Sequence, residues 1–154
     1  FSDLLSVHPG DVTKAELPDG DIEILFIDLA KHWTVNDYVV KAFFPKLIPG
    51  KSVVIQQDYL FHTWTGWLPV TMEYFSEYFE IVDHTEKNSV AFLYHKQIPA
   101  EKLKLDVIAS LTRSEMLDLA NRAIARFSGG VQRQILEQSR DQFQEMLLAA
   151  NWPA

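Results

Sequence analysis

Four apolar residues, Ile24, Leu25, Phe26 and Ile27, run straight into Asp28. A second run, Val53, Val54 and Ile55, passes through Gln56 and Gln57 into Asp58. Short β-branched runs bounded by turn residues predict strands over 22–27 and 52–55. Their near-continuous apolarity predicts burial on both faces, as in a parallel sheet. Between them Thr34 opens a helix. Thr34 and Asp37 have the spacing of a capping box, and Asp37 and Lys41 sit one turn apart. Tyr38, Val39, Ala42 and Phe43 supply the helix's apolar face, and Pro45 and then Pro49-Gly50 end it.

The flanking pattern extends this alternation. The apolar stretch 4–8 is a strand candidate ending at Pro9-Gly10. Residues 11–17 make one or two helical turns before the break at 18–21. Beyond the second strand, 65–67 reads as a loop and 69–78 as a helix carrying Val70, Tyr74, Phe75 and Tyr78. Strands over 79–83 and 89–95 follow, joined by a connection of hairpin length. Strand, helix, strand, helix and a strand pair define an α/β layer fold. After residue 98 the pattern turns helical. Leu117, Ala120, Ala123, Ile124 and Phe127 line one side of 114–127. Ile135, Leu136, Phe143, Met146 and Leu147 line 131–150. Gly129-Gly130 between them is either a turn joining antiparallel helices or a kink in one long helix. The expected organisation is an α/β unit over 1–98 with a helical extension over 99–154 of the same domain. That extension either docks on its own sheet or serves as a dimerisation arm.

Composition narrows the function classes. The 154 residues suffice for one domain with a core. A net charge of -7, with Lys and Arg scattered, argues against nucleic acid and anionic lipid as partners. The chain has no cysteine, which excludes a disulfide framework, a thiolate metal site and a cysteine nucleophile. No apolar run reaches the ~20 residues of a membrane helix, and no signal peptide is visible. The expectation is a cytoplasmic protein.

The chemistry sits at the strand ends. In open α/β sheets, ligands bind outside the carboxyl ends of the strands. A right-handed crossover would set Asp28 and Asp58 at one mouth. His32 and His62 each lie four residues further on. Two carboxylates and two imidazoles suit a divalent cation or acid–base work. The alternative for each Asp is a cap on the next turn. Trp33 either walls a ligand or packs in the core. Trp64 and Trp67, near Gly66, are candidates for a substrate pocket. The cluster of Tyr74, Phe75, Tyr78 and Phe79 reads first as core.

Phe26-Ile27-Asp28, then Leu47-Ile48-Pro49-Gly50-Lys51, then Gln57-Asp58-Tyr59, in this order, resemble the central stretch of class I S-adenosylmethionine-dependent methyltransferases, nearest the macrocin and catechol O-methyltransferase types. The resemblance covers roughly residues 8–96. It implies a Rossmann-like, mostly parallel, three-layer sheet in strand order 3-2-1-4-5-7-6. The final strand runs antiparallel and inserts between its two predecessors. It implies Asp28 beside the cofactor or a metal such as Mg, Asp58 as a second ligand, and His32 as base toward a small hydroxylated acceptor. Trp33 would wall the cofactor, and Asp11, in His8-Pro9-Gly10-Asp11, matches the turn near the adenine. Trp64, Trp67 and His62 would face the acceptor.

The chain departs from the family pattern at two places. Gln57 stands where metal-dependent members often carry an aspartate, and an amide is a weaker ligand for a hard cation. The glycine-rich loop after the family's first strand is not in these residues. A methyltransferase reading therefore expects it upstream of Phe1, and an unpaired sheet edge beside residues 22–27. The competing expectation is a methyltransferase-like module without cofactor, working in homodimerisation or partner binding through that edge or the C-terminal helices. A metal-dependent hydrolase using the same aspartates is a third.

Overall fold

The computed structural model describes residues 5–15, 17, 19–61 and 65–153. In chain order the elements are β1 (Ile24–Ile27), α1 (Trp33–Phe43), β2 (Val53–Gln56), α2 (Trp67–Tyr74), β3 (Phe79–His84), β4 (Val90–Tyr94), α3 (Ala100–Leu103), α4 (Val107–Ser110), α5 (Arg113–Ala125) and α6 (Gly130–Ala149). The fold is α/β, and among the described residues no helix is long and apolar enough to cross a membrane.

The four strands form one open mixed sheet in the order β1-β2-β4-β3. β1 and β2 pair in parallel, with Ile27 opposite Gln56. β4 runs antiparallel to both β2 and β3 and lies between them. Among the described residues one of the three strand pairings is parallel; β4 alone runs against the other strands, and its place between β2 and β3 makes the other two antiparallel. The hairpin connection is too short for a crossover, so the strand after it must reverse direction.

The three-layer expectation is corrected. Side chains alternate across the pleat. Ile27, Val54, Val90, Phe92, Tyr94 and Phe79 are buried in the core with the helices. On the other face Ile24 is 69% and Phe26 55% exposed, and Val82 is exposed too. No helix among the described residues covers that face. The two edges differ. Glu23 O accepts from Val53 N at 2.8 Å and Ile27 O from Gln57 N at 3.0 Å. The intervening N–H and C=O groups of Ile24 and Phe26 therefore point away from β2, along an edge where no described strand pairs. At the opposite edge, β3 carries a register shift between Ile81 and Asp83 and exposes Glu80 and Asp83.

Several local expectations shift. Leu4 lies outside the described residues, and 5–9 form no strand; Leu5 and Val7 are exposed there. The helical stretch at 11–17 is a single 3-10 turn, Val12–Lys14. Ile22 makes only a bridge to Leu47. α2 begins at Trp67, earlier than the proline signal suggested, and ends at Tyr74. The short helices α3 and α4 were not foreseen. The glycine pair is a turn, with Gly130 at φ +79°, a conformation that favours glycine. α5 and α6 pack side by side, and Arg140 reaches back to Asn121 Oδ1 at 2.7 Å.

The capping box at Thr34 does not form. His32 caps α1 instead, its Nδ1 accepting from Thr34 N. Asp37 is buried, and its carboxylate accepts from Ile108 N at 3.0 Å and Ala109 N at 3.3 Å, tying α1 to the first turn of α4. Lys41 pairs with Asp106 rather than Asp37. Burial raises the Asp37 pKa above its ordinary 3.8, although the two backbone N–H groups pull the other way. An acid whose pKa is raised on folding stabilises the fold at low pH and loses that contribution as pH rises past the unfolded value. Wild type should therefore lose stability relative to Asp37→Asn as pH climbs from 3.8 toward neutrality. Chemical denaturation of both chains across that range checks the sign; a constant difference would refute it.

Candidate functional site

β1 and β2 end side by side, because Ile27 pairs with Gln56 and Gln57 N donates to Ile27 O. Asp28 directly follows β1 and Asp58 lies two residues past β2, so the two acids come together at the strand ends. Lys31 joins them: its Nζ lies 3.1 Å from Asp28 Oδ1 and forms an ion pair with Asp58 Oδ2. Asp28 is half exposed. The Asp58 side chain is only 13% exposed. Asp58 adopts φ +62°, a left-handed conformation that non-glycine residues seldom take and that aspartate tolerates better than most. Its surroundings fix it there. Asp58 N donates to Asn88 Oδ1 at 3.3 Å, Asn88 Nδ2 donates to Asp58 Oδ1 at 3.4 Å, and Thr65 Oγ1 donates to Asp58 O at 3.1 Å. The β3–β4 hairpin thus holds the second carboxylate. Next to it, the Tyr59 ring is buried against Phe92. Burial first, then the charge of Glu73, pushes its phenol far above the ordinary 10, so it stays protonated.

His32, four residues past Asp28, is stacked on Trp33 at 5.7 Å between ring centroids, with Trp67 at 6.5 Å. Its Nδ1 accepts from Thr34 N at 3.3 Å and lies 2.8 Å from Thr34 Oγ1. In the tautomer that accepts the backbone N–H, the outward Nε2 carries the proton and is a donor. Service as a base requires the other tautomer, with Nδ1–H donating to Thr34 Oγ1. Trp33 packs edge-on against Trp152 at 5.5 Å. Trp67 is not in a loop: it opens α2, is buried, and its indole N–H donates to Ala30 O at 2.8 Å. Its ring belongs to the core and anchors the loop that carries Lys31.

Asp11 is exposed, on the turn that packs beside α1. Its Oδ1 accepts from Thr13 Oγ1 at 2.8 Å and Thr13 N at 3.0 Å. Those bonds hold its pKa below the ordinary carboxylate value. It lines a shallow cleft of about 340 Å³ with Val7, His8 and Lys14. His62 and Trp64 lie outside the described residues.

A divalent cation needs about six oxygen ligands. Here an ammonium stands between the two carboxylates, and the described residues hold no cluster of three or more His, Cys, Asp or Glu. Among the described residues, two carboxylates held by one ammonium do not make up a metal site. A larger cleft, about 800 Å³, runs along the outer edge of β3 beside Asp83, His84, His95, Arg126 and Gly129. Its guanidinium is committed to Glu73, and its His84 ring packs on Phe127. Charged groups converge instead at the strand ends, where Lys31 meets Asp28 and Asp58.

Sequence reasoning did not single out Lys31, Asn88 or Trp152. The signal for Lys31 was its i, i+3 spacing from Asp28. Asn88 and Trp152 meet the site only through tertiary contacts. Gln56 was likewise passed over. It is buried at the end of β2, its Nε2 donates weakly to Met72 Sδ at 3.8 Å, and its Oε1 has no hydrogen-bond partner among the described residues. An orphaned buried acceptor costs about 1–3 kcal/mol. Gln56→Met should therefore raise the unfolding free energy by about 1 kcal/mol. A lower urea midpoint would show instead that Oε1 is satisfied.

The chain matches no family model, no curated protein and no solved structure.

Proposed function

We propose that the chain is a SAM-dependent methyltransferase, or the C-terminal part of one, transferring a methyl group to a small hydroxylated acceptor. One observation carries the reading. Asp28 and Asp58 lie one and two residues past the ends of two neighbouring parallel strands, on a sheet whose last strand is inserted antiparallel between its predecessors. That is the arrangement the sequence resemblance implies for the family's late strands, and ligands of α/β sheets bind at such strand ends. The cofactor would supply the activated methyl group. Asp28 and Asp58 would accept hydrogen bonds from hydroxyl and ammonium groups, with Lys31 keeping both carboxylates oriented. His32, released to its base tautomer, would take the acceptor hydroxyl's proton. We read such a chain as cytoplasmic.

Calorimetric titration of S-adenosylhomocysteine into the 154-residue chain tests this. Micromolar binding, lost in Asp28→Ala, is the expected result. No binding at millimolar ligand by a folded sample overturns it.

The bare edge and face of β1 favour a second reading, a methyltransferase-like module that binds no cofactor and pairs with itself or a partner. A dimeric mass without ligand binding would select it.

A further inference from the structure

The loop 28–32 carries Asp28, Lys31 and His32, and it is gripped from two sides. On the inner side the Trp67 indole N–H holds Ala30 O at 2.8 Å, and the chain turns tightly there, Lys31 N donating to Leu29 O at 2.8 Å. On the outer side the grip comes from the far end of the chain. Beyond α6, Trp152 N donates to Leu147 O at 2.9 Å and Trp152 Nε1 to Leu111 O at 2.9 Å, while Pro153 O accepts from Arg113 N at 2.7 Å. These bonds lay the tail across the start of α5. They also present the Trp152 ring edge-on to Trp33, at 5.5 Å and 90°. Trp33 in turn stacks on His32, whose Nδ1 caps α1.

We infer that Trp152 is a positioning residue for the strand-end cluster: through Trp33 and His32 it holds the loop 28–32 in the conformation that keeps Lys31 between Asp28 and Asp58. The physical chain is short. Without the Trp152 ring, Trp33 loses its edge-to-face partner and the His32 ring loses its backing. The first turn of α1 then frays from an unsupported cap. Lys31, at the exposed end of the loop, is free to leave the carboxylates. One aromatic pair and one hydrogen bond together shift the opening equilibrium about tenfold. The consequence for ligand affinity rests on the methyltransferase reading; the consequence for the loop does not.

The test compares wild type, Trp152→Phe and Trp152→Ala by hydrogen exchange with mass spectrometry, reading 28–34 against the body of α6. Trypsin cleavage after Lys31 is followed in parallel. In Trp152→Ala, exchange and cleavage at the loop should rise about tenfold while mid-α6 exchange is unchanged. Trp152→Phe keeps a ring against Trp33 and should restore most of the protection. Unchanged loop exchange in Trp152→Ala overturns the inference. So does acceleration spread equally over α5 and α6, the mark of a merely structural residue. S-adenosylhomocysteine affinity is measured on the same samples and should weaken in Trp152→Ala and recover in Trp152→Phe. If wild type binds none, the functional reading fails, and the exchange data still decide the role of Trp152.

Discussion

Replacing Arg126 by alanine lowers the unfolding free energy by about 3 kcal/mol. Glu73, on α2, is only 7% exposed, and the guanidinium grips it with two bonds, Nε to Oε2 at 3.0 Å and Nη2 to Oε1 at 3.3 Å. The buried phenol of Tyr59 feels the same carboxylate. Removing the guanidinium leaves that carboxylate buried without its counter-charge, and breaking one side of a buried pair is far worse than never having had it. The Arg126 side chain is 43% exposed, so solvent softens the loss and the low end of the usual range applies. Lysine does not substitute well, because a point charge cannot reproduce the fork. The double variant Arg126→Ala with Glu73→Met should recover most of the loss. Urea unfolding of the four chains of that cycle is the measurement. Additive effects of the two substitutions would show that the pair is not coupled.

Gly66→Ala is expected to cost about 2 kcal/mol by overpacking. Gly66 precedes α2, and Phe143 of α6 lies directly on it. A Cβ there would stand 2.4 Å from Phe143 Cγ and 2.7 Å from its Cβ and Cδ2. Phe143 is buried and cannot swing clear, so α6 must lift from the start of α2. The glycine's φ of -56° is ordinary, so the requirement is space and not backbone freedom. In a Phe143→Ala background, where the ring is gone, the same substitution should be close to neutral. A full cost persisting in that background would locate the strain elsewhere. Thermal or urea unfolding of the four chains decides it.

The elements of this fold are written locally, and the site is not. β1, α1, β2, the hairpin and the two long helices follow from runs, breakers and periodicity that any short window contains. The hairpin's shortness makes β4 antiparallel to β3, while the insertion of β4 beside β2 was implied only by the family resemblance. What failed was what depends on distant residues. Asp37 reads as a capping-box acid because its helix is all a window sees; its true partners lie 71 and 72 positions away. Trp67 reads as a loop residue beside a glycine, yet the glycine serves Phe143 and the tryptophan serves Ala30. The burial of both sheet faces was inferred from unbroken apolar runs. Those runs record what the strand can bury, not what covers it, and so Ile24 and Phe26 stand in the open. At the site, the aspartates were legible as strand-end acids. Lys31 between them was not, because which cation a carboxylate pair holds is settled by the path of the intervening loop.

The two rims of the sheet are unequal, and that sets an upper limit on assembly. β3 is spoiled as a template by its register shift and its exposed acids, whereas β1 presents bare Ile24 and Phe26 with their main-chain groups outward. A sheet with two adhesive rims polymerises without end. One with a single adhesive rim is consumed as soon as that rim meets its like, because the two outer rims left behind are both inert. Copies joined through β1 would turn outward only the two β3 rims, whose register shift and exposed acids disfavour further edge addition.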